Sequence, residues 1–390
     1  MCGKRQGDEE MPQLHVMIKP ASGLCDMRCS YCFYADEMKR RDQASYGIMS
    51  LETLEHVIRE IFAFAEGACT IAFQGGEPTL AGLPFYERCL ELEKRYNTKN
   101  IPVSHALQTN GYGLSEDWYP FFAKNHFLIG LSIDGLKATH DACRKDSQGQ
   151  DTYFRVLETA RALEQAGVPF NVLTVVNART APRIRKIYAR YQKLGFAWQQ
   201  YIACLDPLQE KPGQQAYSLT PEVYGQFLIQ LWELWEQDFA KGEQPYIRQF
   251  ENYIGILLGQ LPESCEQRGV CSFQNVVEAD GSVYPCDFYV LDGYRLGNLC
   301  TDSFQVIEQR RKESRFVESS FERGENCQTC PYRVLCRGGC RRHREQPGGG
   351  IGENYFCRSY QMFFKACLPR IERIAALLRR QRDGAGGPLR

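Results

Sequence analysis

The chain has no surplus of either charge. Its 47 basic residues are matched by 47 acidic ones, for a formal net charge of zero, so it lacks the broad electropositive surface that nucleic acid or anionic lipid favours. Neither partner is expected. It also has no uninterrupted run of about eighteen apolar residues, so no membrane-spanning helix is expected either. The opening MCGKRQGDEEMPQ has no apolar core of an export signal, and there is no internal repeat or long low-complexity linker. These absences lead us to expect a soluble, unexported, cytoplasmic protein whose partners are small molecules or a specific protein segment. At 390 residues and 43% apolar, the chain is long enough for two domains at roughly 100 to 200 residues each, or for one large domain with an appendage.

Cysteine, by contrast, is abundant, with 18 in the chain. Disulfide frameworks belong mainly to small secreted domains, so reduced thiols or metal ligands fit this chain better. Cys265, Cys271, Cys286, Cys300, Cys327, Cys330, Cys336, Cys340, Cys357 and Cys367 crowd the last third, which points to a second, metal-rich domain.

Over the first two hundred residues, β-rich runs alternate with helical periodicity. The runs are HVMIKP (15–20), CTIAFQ (69–74), VSHALQT (103–109), FLIGLSI (127–133), FNVLTVV (170–176) and AWQQYI (197–202). Between them, Leu51, Leu54, Val57, Ile58, Ile61 and Phe62 follow an N-cap at Ser50, and Val156, Leu157, Ala160 and Leu163 precede a stop at Gly167. Six strand–helix units predict an α/β fold with a parallel sheet and right-handed crossovers. Six are too few to close an eight-fold barrel, so an open, partial (β/α)6 barrel is expected, with its chemistry at the carboxyl ends of the strands. Those ends carry, in order, CDMRCSYC, GGEP, Asn110-Gly111, Asp134-Gly135, Asn177 and Asp206-Pro207.

From about residue 220 the pattern changes. Thr220-Pro221-Glu222 opens a helix through Phe227, Leu231, Leu234 and Trp235. NVVEADGSVYPC (275–286) reads as a β-hairpin with a two-residue turn at Asp280-Gly281. A last helix is expected to run to about Leu378. The expected division is 11–240 for the barrel, 241–375 for a cysteine-rich domain with the hairpin and the C-terminal helix, and 376–390 for a flexible basic tail.

CDMRCSYC places Cys25, Cys29 and Cys32 in one loop. Thiolates are soft ligands that select zinc or iron–sulfur clusters. Structural zinc closes its shell with four ligands, and this loop offers only three, with His15 a formal fourth back in the strand. Three thiolates on a four-iron cluster would leave one iron open. CxxxCxxC followed by GGEP resembles the radical S-adenosylmethionine (SAM) family. The resemblance implies that Cys25, Cys29 and Cys32 hold a [4Fe–4S] cluster that binds SAM. It places Gly75, Gly76, Glu77, Pro78, Ser132, Arg144 and Leu205 among the cofactor contacts.

Cys265-x5-Cys271-x14-Cys286 and Cys327-x2-Cys330-x5-Cys336-x3-Cys340, with Cys357, resemble the SPASM domain and its two auxiliary [4Fe–4S] clusters. By that resemblance Cys265, Cys271, Cys286 and Cys340 ligate the first, and Cys327, Cys330, Cys336 and Cys357 the second. From spacing alone, CxxC pairs also suit zinc. Seven cysteines, Cys2, Cys69, Cys89, Cys143, Cys204, Cys300 and Cys367, are left without a role.

CxYCFY, FQGGEPTLAGL, LQTNG, CLDPL, DGSVYPCDFYVLD and GGCRR together resemble the anaerobic sulfatase-maturating enzymes, which oxidise a cysteine or serine of a sulfatase to Cα-formylglycine. The resemblance implies Asp287 as general base, and Tyr34, Gln74 and Gln108 on the substrate side. It also implies a sulfatase segment of Cys-x-Pro-x-Arg or Ser-x-Ala-x-Arg type as partner, and a flavodoxin or ferredoxin as electron donor. Two other readings stay open from the residues: a SPASM maturase that forms a thioether or crosslink, and a non-catalytic iron–sulfur electron carrier.

Overall fold

The computed structural model describes residues 13–346 and 349–384. Six strands pair in parallel, each with the next: β1 (Leu14–Ile18), β2 (Cys69–Phe73), β3 (Val103–Thr109), β4 (Leu128–Ser132), β5 (Phe170–Val176) and β6 (Trp198–Ala203). All six lie where the β-rich runs predict them.

The sheet does not stop there. The strand β7 (Tyr246–Ile247), beyond the expected boundary at 240, pairs in parallel with β6. On the other side β8 (Asn275–Val277) pairs in parallel with β1, with Val16 opposite Asn275. β9 (Ser282–Tyr284) and β10 (Gly297–Asn298) follow antiparallel, giving one ten-stranded sheet in the order β10-β9-β8-β1-β2-β3-β4-β5-β6-β7. The arms of the expected hairpin are β8 and β9, whereas the two-residue strands β7 and β10 carry too little pattern to be read from sequence.

Burial alternates along the strands. Val16 and Ile18 of β1 and Ile71 and Phe73 of β2 are fully buried against the outer helices, whereas Met17 and Ala72, on the other face, are only partly covered. The helix Leu51–Phe64 supplies Leu54, Val57, Ile58, Ile61 and Phe62 to this core, and its N-cap Ser50 accepts from the Thr53 N–H. The inner face, which a closed barrel would fill with side chains, is left as a lumen. The C-terminal helix Cys357–Gly384 packs along Pro221–Phe239, where Trp232, Trp235, Phe250 and Phe363 form an aromatic layer.

Two local expectations are corrected. The hairpin turn has three residues, Ala279 to Gly281. The Glu278 N–H bonds to Ser282 O, the Gly281 N–H bonds back to Glu278 O, and Gly281 has φ +85°, which is a tight turn closed by a left-handed glycine bulge. The last helix runs on past Leu378 to Gly384, because 376–382 are mostly helix formers with no breaker. Most of the expected tail is therefore helix, and 385–390 lie outside the described residues. The 17 described cysteines are all free thiols; Cys69, Cys89, Cys143, Cys204 and Cys367 are buried, and Cys2 lies outside the described residues.

Candidate active site

The loop after β1 carries Cys25, Cys29 and Cys32 and is tied down by backbone bonds, from the Arg28 N–H to Lys145 O (2.7 Å) and from the Ser30 N–H to Cys143 O (2.9 Å). Beneath it runs the GGEP turn at the end of β2. The Gly76 N–H donates to Ser22 O (2.9 Å) and the Glu77 N–H to Leu24 O (2.7 Å). A Cβ at Gly76 would lie 2.0 Å from Leu24 O, so this glycine admits the cysteine loop itself.

Glu77 is fully buried and its carboxylate is used within the chain. Oε1 accepts from the Thr79 N–H (3.1 Å), Thr79 Oγ1 (2.7 Å) and Thr109 Oγ1 (2.9 Å), and Oε2 accepts from the Asn110 N–H (2.8 Å). Burial pushes its pKa up to about 7 against these bonds. The Asn110 amide in turn donates to Asp26 Oδ1 (2.7 Å) and lies 3.6 Å from Cys25 Sγ. Glu77 thus positions the cysteine loop through Asn110. Pro78 is buried and opens the short turn Pro78–Ala81.

Arg144 is buried rather than on the surface. Its Nε donates to Asp134 Oδ2 (3.2 Å), one of its terminal nitrogens lies 3.9 Å from Cys29 Sγ, and its guanidinium sits 5.5 Å from the centre of the Tyr31 ring. The Tyr31 hydroxyl also donates to Asp134. Ser132 is buried at the carboxyl end of β4.

The helix Phe33–Lys39 starts directly after Cys32 and carries Tyr34 to Asp287, which follows Cys286 in the turn Asp287–Tyr289. Asp287 is 6% exposed. Its Oδ2 accepts from the Tyr34 hydroxyl (2.6 Å) and Gln74 Nε2 (2.9 Å), and Gln74 also donates to Tyr34 Oη (2.8 Å). Oδ1 is buried and accepts nothing. Burial raises the Asp287 pKa, while Lys19 and the Tyr34 hydrogen bond oppose the shift. Asp287, Gln74, Gln108, Leu205 and Phe33 line one cavity of ≈ 370 Å³, and Cys265, Cys271, Cys286 and Cys340 line it too.

The thiols gather in three groups, within each of which ionising one thiol opposes ionising another. They are Cys25 with Cys29 and Cys32; Cys265, Cys271, Cys286 and Cys340; and Cys327, Cys330, Cys336 and Cys357. Among the described residues, no three His, Cys, Asp or Glu side chains are close enough to hold a single metal ion. Unpaired thiols in sets of three, four and four are the donor chemistry of iron–sulfur clusters, so the residues present fit such groups.

Sequence reasoning missed the layer beneath Asp287. Lys19, 1% exposed, lies 4.7 Å from the Tyr34 ring centre, 3.6 Å from Glu278 and 3.9 Å from Glu37, and Arg41 meets Glu278 at 2.6 Å. The available signal was a lysine ending an otherwise apolar β1 run. Such a residue is buried only with partners.

Comparison with known proteins gives the same pattern. The Radical SAM superfamily model matches residues 20–189, and the SPASM iron–sulfur cluster-binding domain matches 265–331. A cysteine-type anaerobic sulfatase-maturating enzyme of Clostridium perfringens (strain 13 / Type A) is 44% identical, covering 94% of this chain and 99% of its own. A serine-type enzyme of Klebsiella pneumoniae is 32% identical, covering 91% and 87%. A solved structure described as native anSMEcpe with bound AdoMet and Cp18Cys peptide superposes with a TM-score of 0.89 at 43% identity, covering 94% of this chain and all of the other. With this identity sustained over nearly the whole of both chains, the protein belongs to the anaerobic sulfatase-maturating enzymes of the radical SAM superfamily.

Proposed function

We propose that the chain oxidises a cysteine or serine in a sulfatase segment to Cα-formylglycine, with Asp287 as the base. The observation that carries this is a buried carboxylate with one oxygen held by Tyr34 and Gln74 and the other unpartnered, at a cavity shared with four thiols. Cys25, Cys29 and Cys32 would hold the SAM-binding [4Fe–4S] cluster, which with SAM supplies a 5′-deoxyadenosyl radical able to take a Cβ hydrogen atom. Ser132, at the carboxyl end of β4, and Arg144, 3.9 Å from Cys29 Sγ, are the proposed contacts for SAM. Gly75, Gly76, Glu77 and Pro78 hold the cysteine loop in register. Cys265, Cys271, Cys286 and Cys340 would ligate one auxiliary cluster, and Cys327, Cys330, Cys336 and Cys357 the other.

Asp287 accepts the thiol or hydroxyl proton at Oδ1 while Tyr34 and Gln74 fix its orientation. Gln108 shapes the space for the target side chain, and Leu205, in the same cavity wall, is a proposed cofactor contact. The substrate loses one hydrogen atom, one proton and one electron; the auxiliary clusters that the C-terminal thiol sets would hold would supply the acceptor for that electron. Hydrolysis of the thioaldehyde formed from cysteine would release sulfide. A flavodoxin or ferredoxin of the cytoplasm supplies the reducing electron. Among the described residues, no helix is long and apolar enough to cross a membrane. The proposed division of labour is barrel 11–240 for radical generation and 241–375 for base and auxiliary ligands. The higher identity to cysteine-type relatives supports cysteine as the preferred target.

The test is anaerobic incubation with SAM, a reductant and paired peptides of Cys-x-Pro-x-Arg and Ser-x-Ala-x-Arg type. Mass spectrometry should find sulfur replaced by oxygen with two hydrogens lost in the first, and two hydrogens lost in the second. A retained, bridged sulfur would instead indicate a thioether-forming maturase and overturn the proposal.

A further inference from the structure

A second opening lies where the helix Cys357–Gly384 packs along Pro221–Phe239. It is a groove of ≈ 700 Å³ and shares no lining residue with the cavity at Asp287. Cys330 stands in its wall, and Gln361, in the same wall, donates from Nε2 to Cys357 Sγ (3.6 Å). The groove thus reaches two thiols of the set formed by Cys327, Cys330, Cys336 and Cys357, none of which lines the cavity at Asp287.

Ile229, Pro331, Tyr332 and Met362 make the lining largely apolar. Its only charges are Arg358 and Lys365, both exposed, and it contains no acidic residue. Among the described residues, neither cation has an ion pair or a side-chain hydrogen bond. Two acids of the facing helix are already engaged, Glu233 by Arg185 (2.8 Å) and Glu236 by Arg370. Beyond Tyr332 the chain continues with Arg333 and Val334, which are exposed too. Half of the lining residues are open to solvent, so the groove cannot exclude water around a small ligand. A protein surface could close it. Unpaired cations around an apolar centre complement an acidic surface with an apolar patch, and thiols that suit an iron–sulfur cluster make this a place where an electron could cross.

We propose that this groove, through Arg358 and Lys365, docks a small acidic electron-transfer protein. The electron it receives is the one the substrate loses besides the hydrogen atom taken by the 5′-deoxyadenosyl radical and the proton taken by Asp287, so each turnover reduces the carrier by one electron. This rests on the proposed oxidation, but docking itself needs no turnover.

The test is anaerobic equilibrium binding of the intact, cluster-loaded enzyme to two probes, an acidic flavodoxin and an acidic ferredoxin, at low and high salt. At least one should bind, and more weakly as salt screens the charges. Arg358→Glu/Lys365→Glu should weaken its binding by about 10-fold, as expected when two rim attractions become repulsions, and should flatten the salt dependence. Lys94→Glu/Lys124→Glu, at exposed positions on the barrel helices after β2 and β3, makes the same change in net charge and should bind like the wild type. Iron content and melting temperature should be unchanged in both pairs; if the groove pair folds poorly, Lys365→Glu alone decides, with an expected loss of about 3-fold. Binding of neither probe, wild-type affinity in the groove variants, or an equal loss in the barrel pair would overturn the inference. So would a change of oligomeric state in the groove pair on size-exclusion chromatography, which would give the groove to a second copy of the chain. Peptide conversion with a chemical reductant is measured in parallel. Conversion without docking overturns only this inference, whereas a peptide that is never converted overturns the reading beneath it.

Discussion

At the scale of single residues, the site depends on a carboxylate that is buried yet kept half free. The Tyr34 hydroxyl and the Gln74 amide occupy one oxygen of Asp287, so Tyr34→Phe removes an orienting bond without removing the proposed base. A hydrogen bond to a charged group contributes about 1.5–3 kcal/mol, so kcat should fall roughly 10- to 100-fold while SAM cleavage continues, which a paired kinetic assay would check. The layer beneath should be sensitive to pH. Burial pushes Glu37 up to about 8, with Lys19 opposing. A carboxyl raised on folding contributes stability that is complete below its unfolded value, roughly 4.3, and lost as pH rises through about 8. The melting temperature should therefore fall more between pH 5 and 8 in the wild type than in Glu37→Gln, and parallel melting curves would contradict this assignment. Asp287 was legible only because it follows a cysteine inside a family-like motif; by itself it reads as a turn residue. Lys19, Glu37, Arg41 and Glu278 were not legible, because their pairing joins β1 to a hairpin some 260 positions away and no local pattern encodes such a contact.

At the scale of elements, the six parallel strands could be read because each is a run of alternating or continuous apolar residues ended by a polar turn. The short strands β7 and β10 and the true length of the hairpin turn could not. GGEP was recognised as a motif, but its physical role emerges only from the packing of Gly76 against the cysteine loop. Gly76→Ala drives a methyl group into Leu24 O and should displace that loop. The reconstituted variant should lose about four of roughly twelve irons and its SAM cleavage, while the C-terminal thiol sets still bind about eight; normal iron content would refute the assigned role of this turn. The second thiol set is spread over the short turns Glu325–Cys327 and Arg333–Cys336 and the start of the helix Cys357–Gly384, so ligand binding there would tie these separate segments together. Cys330→Ala should lower iron content and thermal stability more than SAM binding, measurable by iron analysis and melting in the same preparation.

At the scale of the whole molecule, the two halves share one sheet. β8 covers the β1 edge, and the helix Cys357–Gly384 covers Pro221–Phe239. A fragment ending at 240 would expose that edge and the face carrying Leu228, Leu231 and Trp232, and should aggregate rather than fold, as size-exclusion chromatography would detect. The shared sheet also sets Asp287, the proposed base in one half, against Tyr34, two residues after Cys32 in the other. In Asp287→Asn the shape is kept and the carboxylate is lost, and losing a positioned base costs about 10²- to 10⁴-fold in rate. The direct test is to quantify 5′-deoxyadenosine and peptide aldehyde in one anaerobic reaction of this variant. The account predicts continued 5′-deoxyadenosine with aldehyde all but absent; aldehyde formed at the wild-type rate and ratio would contradict it.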